Sequence, residues 1–125
     1  MIFDRLYEQS VIMGSALRAS SLRNEVIGNN IANNDTPGFK AKQVLFEDSL
    51  ARALDRRELP GDLDMSSVKT SVEYINKNFN YRIDENNVDI ELEMVNLYQN
   101  SVKYEALINC VQGNSKRLAL VLTGR

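Results

Sequence analysis

The chain has 125 residues, 43% apolar and 7% aromatic, with a formal net charge of −2 and a pI near 5.2. That composition fits one modest domain with no membrane span, and its acidic balance argues against the phosphate-neutralising surface of a nucleic-acid binder. A single cysteine, Cys110, and no histidine remove an internal disulfide, the usual zinc and iron–sulfur ligand sets and the commonest base for a serine nucleophile.

The opening stretch MIFDRLYEQS has an acid at Asp4, no early basic run and no long apolar core, so a secretory signal peptide is not expected. Stepping from Phe3 by alternating threes and fours gives Phe3, Leu6, Ser10, Met13, Leu17, Ser20, Asn24, Ile27, Ile31 and Asn34, one face of a continuous helix. The stretch NNIANNDTPGFK then stops it. Pro37 lacks an amide donor and pushes Thr36 to an extended conformation, and Pro37-Gly38 suits the centre of a type II turn. The helix must end by about Asp35.

Residues 42–58, KQVLFEDSLARALDRRE, read as a short amphipathic helix with Phe46, Leu50, Ala53 and Leu54 on one side, closed by Pro60-Gly61. Beyond it, 67–75 and 79–83 alternate β-branched and aromatic residues around Asn76, Lys77 and Asn78, the pattern of a small hairpin. A second long row follows: Ile90, Met94, Leu97, Ser101, Tyr104, Ile108, Val111, Ser115, Leu118 and Leu122, eight of ten positions apolar and none charged. Asp84, Glu85, Asp89, Glu91 and Glu93 at its start, and Lys116, Arg117 and Arg125 near its end, suit a helix dipole. Asn86 or Asn87 would cap it.

Each long helix has a second apolar edge: Ile12, Ala16, Ala19 and Val26 on the first, and Val88, Leu92, Val95, Val102 and Ala106 on the other. Two readings stand. Either the edges pack against copies or relatives of the chain, or the middle segment folds back over part of them. Chemistry is sparse: Asp89 and Glu93 lie one helical turn apart and are better read as dipole-complementing surface than as an acid–base pair or hard-metal site. Cys110 reads as a half-buried small hydrophobe, and Tyr98 and Tyr104 as packing residues with wet hydroxyls. No catalytic residue, cofactor or metal is expected.

The stretch IGNNIANNDTPGFKAKQVLFEDSL resembles the N-terminal signature of the bacterial flagellar axial proteins, the rod, hook and hook-associated subunits. The match is contiguous at Asn29, Asn30, Ile31, Ala32 and Asn33 and again at Thr36, Pro37, Gly38, Phe39 and Lys40. Within that family NNVDIELEMVNLYQNSVKYEALI is similar to basal-body rod proteins of the proximal rod, through Asn87, Val88, Asp89, Glu91, Glu93, Met94, Tyr104, Ala106 and Leu107. Glu85 stands where the family often has Gly, Gly28 where it often has Ala, and Lys103 where Arg is common.

The resemblance implies a non-enzymatic axial subunit. It would pair its terminal helices in the inner tube of the flagellar axle, leave the cytoplasm through the flagellar type III export apparatus without a cleaved signal, and gain order on assembly. It would sit in the rod across the periplasmic space with other rod subunits and basal-body components, with no nucleic acid and no membrane insertion. The Pro37-Gly38 turn would lead the chain out of the tube while Asn29, Asn30, Asn33 and Asn34 bond nearby backbone. A different reading of the same helices is a cytoplasmic hairpin adaptor or regulator that binds a partner helix.

The expected fold is mainly α. Long N- and C-terminal helices pair as an antiparallel coiled-coil-like hairpin, with a short helix and a β-hairpin between them. Residues 1–35 form the first helix, 36–84 the turn and middle segment, and 85–125 the second helix, packing with 1–35 as one domain. Helix packing and assembly are assigned to Leu6, Met13, Leu17, Ile27 and Ile31 on the first helix. On the second they fall to Ile90, Met94, Leu97, Tyr104, Ile108, Val111, Leu118 and Leu122.

Overall fold

A computed structural model of the chain describes residues 2–59, 62–76, 78 and 82–124. In chain order the elements are helix α1 (Ile2–Ala32), strand β1 (Lys42–Leu45), helix α2 (Glu47–Arg56), a single 3-10 turn at Met65–Ser67, strand β2 (Ser71–Tyr74) and helix α3 (Ile90–Thr123). α1 and α3 contain 31 and 34 residues, so each is about 50 Å long. They lie antiparallel, as the pairings of Asn30 with Glu93, Ser20 with Asn100 and Met13 with Asn114 require.

The long helices have well-defined ends. Asp89, not Asn86 or Asn87, is the N-cap of α3: its side chain accepts from the Glu91 and Leu92 amides at 3.1 and 3.2 Å. The two asparagines are unavailable as caps because their side chains bind other parts of the chain. At the far end Gly124 adopts φ +64° and donates its amide to the Leu120 carbonyl at 3.1 Å, a left-handed C-terminal cap. α1 stops at Ala32 and unwinds through tighter turns, with the Asn34 amide on the Ile31 carbonyl and the Thr36 amide on the Asn33 carbonyl.

The middle segment departs from its sequence pattern in two places. Residues 42–45, expected as the start of a helix, are strand β1, and α2 begins only at Glu47. β1 pairs antiparallel with β2 in the register Lys42↔Tyr74, Gln43↔Glu73, Val44↔Val72 and Leu45↔Ser71. The strand expected within 67–75 is therefore present, and it pairs with β1. Of that segment, 79–81 lie outside the described residues, as do the Pro60-Gly61 stop and Arg125. The strand is set by partners elsewhere in the chain: β2 pairs with it, and Asn30, twelve residues earlier, offers Lys42 both a donor and an acceptor.

The buried interior is half polar. Among the described residues Ala19, Ile27, Ala41, Val44, Phe46, Ala53 and Val88 are its apolar members, and Glu8, Ser20, Asn30, Asn86, Asn87, Glu93 and Asn100 its polar ones. Each buried polar side-chain atom among them has a hydrogen-bond partner, so the polar content does not carry the penalty of unmet bonds.

Candidate assembly interface

Two features distinguish this molecule: a dense polar junction where the helices meet the middle segment, and long apolar rows left on the outside. The junction begins with the chain reversal after α1. Gly38 sits at φ +70° and the Phe39 amide donates to the Thr36 carbonyl at 3.3 Å, the geometry a type II turn demands of its third residue. The segment that precedes α3 then docks on this turn. The Gly38 amide donates to the Asp84 carbonyl at 2.8 Å, the Lys40 ammonium to the Glu85 carbonyl at 2.5 Å and the Arg82 guanidinium to the Asn34 carbonyl at 3.1 Å. Glu85 is held at φ +64°, a left-handed conformation that a residue with a Cβ adopts at a cost.

Asn86 is the centre of the junction and is 0% exposed. Its amide donates to the carbonyls of Asn33, Asn34 and Thr36 at 3.0, 3.0 and 2.8 Å, all in the turn that follows α1. Its side-chain oxygen accepts the Val88 amide at 2.7 Å. Asn87 performs the matching task for the sheet, accepting the Ala41 amide at 2.6 Å and donating to the Ile75 carbonyl at 2.7 Å. Asn30 holds the sheet to α1 through Lys42 and also donates to the Glu93 carboxylate at 3.2 Å. Burial raises the pKa of Glu93 above the ordinary carboxylate value, the Asn30 bond works in the opposite direction, and the negative charge of Asp89 adds to the rise.

Of the motif residues assigned from sequence, Asn30, Asn33, Thr36, Gly38, Phe39 and Lys40 take part in this junction. Asn33 bonds within the turn, donating to the Asn29 carbonyl and accepting from the Thr36 hydroxyl. Asn29, Ala32 and Pro37 are exposed and Ile31 is half-buried. Asn86 and Asn87, expected as caps of α3, instead bind the turn and the sheet, and Asn100 is a position the sequence reading does not single out, because apolar patterning discards an asparagine inside a periodic helix.

The helix seam is also displaced from the apolar row. In the first half of α3 the inward positions are Glu93, Leu97, Asn100 and Tyr104, whereas Ile90, Met94 and Ser101 are exposed. Asn100, 2% exposed, accepts the Ser20 hydroxyl at 2.9 Å and donates to the Ser20 carbonyl at 2.8 Å and to Asn24 at 2.7 Å. Further along, Met13, Leu17, Ile108 and Val111 are half-buried, Ile27 is buried, and Leu6, Leu118 and Leu122 are exposed. Cys110 is exposed, because the inward row passes through 107, 108 and 111, and Tyr98 points to solvent at 73% exposure.

The second apolar edge has two fates. On α1 Ala19 is buried and Ile12, Ala16 and Val26 are half-buried, with the middle segment fastened alongside through Arg23 and Glu8. On α3 Leu92, Val95, Val102 and Ala106 stay exposed, spaced as one stripe along the helix. Between the free ends of the helices an apolar groove of about 380 Å³ runs past Phe3, Leu6, Tyr7, Met13, Val111 and Leu118. Among the described residues no helix is long and apolar enough to cross a membrane, and no cluster of acidic or cysteine side chains is placed to hold a metal ion.

Comparison with known proteins matches these features to one family. The sequence model of the flagella basal body rod proteins matches residues 12–40, about the last two thirds of α1 and the turn that follows it. Over nearly the whole chain there is 36% identity to the flagellar basal body rod protein FlgB of Bacillus subtilis (strain 168), covering 88% of this chain and 89% of that protein. The chain belongs to the FlgB family. FlgB of Borrelia hermsii is likewise 36% identical, over 94% of this chain and 98% of its own, and FlgB of Escherichia coli (strain K12) is 29% identical over 97% of each. As a FlgB-family member the chain is a structural component of the flagellar basal body rod and not an enzyme.

Proposed function

We propose that this chain is a proximal-rod subunit that self-associates and co-assembles through α1 and α3, acting as one domain, into the axle that transmits motor torque. One observation carries the reading: Leu92, Val95, Tyr98 and Val102 are all more than half exposed on one 34-residue helix. A contiguous apolar surface of this kind marks an interaction site. Of the helix-packing residues named above, those exposed in the single chain (Leu6, Ile90, Met94, Leu118 and Leu122) fill contacts between subunits, and the others pack α1 against α3. The motif residues 29–40 hold the chain's exit from the inner tube. Its partners are other rod subunits, basal-body components at the rod base and the flagellar type III export apparatus, which delivers it across the inner membrane to the periplasmic span of the rod.

The test is co-assembly. Purified chain carrying Val95→Lys and Val102→Glu is compared with wild type for binding to the other proximal-rod subunits and for restoring motility to cells lacking the native gene. Both positions are solvent-exposed, so the variant should fold as wild type does and lose binding and motility. Full motility with that variant, or no binding of any rod subunit by the wild type, overturns the reading.

A further inference from the structure

One face of α1 runs through Glu8, Ile12, Ala16, Ala19, Arg23 and Val26 in steps of three and four residues. The chain from β1 to the end of α2 runs back along this face and is fastened at intervals. The Arg23 guanidinium donates to the Val44 carbonyl at 3.1 Å and grips both Glu47 carboxylate oxygens at 2.8 and 2.6 Å. This hydrogen bond, more than any other cause, holds Glu47 below the ordinary carboxylate pKa. Past the other end of α2, Arg57 donates to Glu8 at 2.8 Å, and Glu8 is 8% exposed. Ala19, midway between the two fastenings, is buried, as are Phe46 and Ala53 on the covering segment.

We propose that α2 is a releasable strap: it occupies the second apolar edge of α1 in the free chain and yields it to the exposed α3 stripe of a second copy on assembly. The inference rests on the assembly reading above. Three observations point to release. At each end the strap is held by an ion pair with one solvent-exposed member, Glu47 and Arg57, which salt can screen. α2 has no side-chain N-cap, since Phe46 supplies none. The face beneath is small and apolar at Ala16 and Ala19, and the stripe on α3 presents larger side chains, Leu92, Val95 and Val102, at the same helical repeat. The α1 edge is thus matched twice, once by α2 and once by the α3 stripe.

The experiment measures self-association of the whole chain by sedimentation across a concentration series, with amide exchange over residues 12–23. The variant Glu8→Gln with Arg57→Gln removes the fastening without leaving a buried charge unpaired. Glu8→Arg with Arg57→Glu restores it in reverse. The neutral pair should associate at about tenfold lower concentration than wild type and exchange faster at 12–23. The swap should return both readouts to wild type, and Val102→Glu in the neutral background should abolish association. Lowered thermal stability with an unchanged association midpoint, or association that survives Val102→Glu, overturns the strap. If wild type binds other rod subunits and the neutral pair binds them equally well, the strap alone fails. If wild type binds none, the assembly reading has failed first.

Discussion

Replacing Asn86 tests the junction most directly. Asn86→Ala removes an amide shared by three carbonyls, at 2.8 to 3.0 Å, and an acceptor for the Val88 amide at 2.7 Å. Two N–H donors and one oxygen amount to three hydrogen bonds, each contributing about 1 kcal/mol net. The site is fully buried, so a loss of about 3 kcal/mol is expected, within a range of roughly 2 to 4. For a domain of this size that lowers Tm by about 10 °C. The assay is thermal and urea unfolding followed by far-ultraviolet circular dichroism at low concentration, with amide exchange at residues 33–41 as the local readout. Asn86→Asp distinguishes bonding from volume: it keeps shape and the Val88 acceptor but turns carboxylate oxygens toward three carbonyls, and it should cost at least as much as alanine. Asn29→Ala, at an exposed position, should stay within about 0.5 kcal/mol. A loss under about 0.5 kcal/mol for Asn86→Ala would refute the reasoning, because water would then be replacing the amide without penalty.

Glu93→Gln should stabilise the chain near neutral pH. Its folded pKa is raised above the ordinary 4.5, so the stability linked to its protonation is complete below that value and is lost as pH rises through the raised one; the variant's Tm should exceed wild type at pH 7.5, with the gap closing toward pH 4. Glu47 has the opposite sign: its lowered pKa gives stability that is present above the ordinary value and lost as pH falls through the lowered one, so Glu47→Gln should cost stability at neutral pH and little in acid. Glu85→Gly relieves a left-handed residue at φ +64° and should gain about 0.5 to 1 kcal/mol by denaturant titration, the strain relieved outweighing the extra freedom of the unfolded chain. Gly38→Ala should lose about 1 kcal/mol in the same titration, and because no atom lies within 4 Å of the added Cβ that cost is conformational alone.

The two long helices were legible because their apolar residues recur with helical period over more than thirty positions, and the stop at Pro37-Gly38 was legible because proline and glycine restrict backbone geometry directly. What sequence reading misplaced depends on long-range partners. Lys42–Leu45 carries no strong strand signal, and it is a strand because the side chain of Asn30, twelve residues earlier, bonds its backbone and because Ser71–Tyr74 reaches it. The N-cap was assigned to Asn86 or Asn87 on local grounds, while their side chains bind carbonyls about fifty and twelve residues away. The inward row of α3 was rotated toward Met94 and Ser101 because apolar counting cannot choose Glu93 and Asn100 over them. Only the presence of Asn30, Ser20 and Asn24 opposite makes the polar choice favourable.

That rotation has an energetic consequence for the assembly reading. A buried asparagine with all its bonds made sets the register of α1 against α3, yet contributes only about 1 kcal/mol per hydrogen bond over water. A valine or leucine taken out of water contributes about 1.5 to 3 kcal/mol. This molecule places the first kind of residue inside, at Asn100 and Asn30, and the second kind outside, at Leu92, Val95 and Val102. Within the single chain the hairpin is therefore specified in register and only modestly stabilised. The larger apolar side chains stay exposed on the single chain, which is the order of energies the proposed assembly requires.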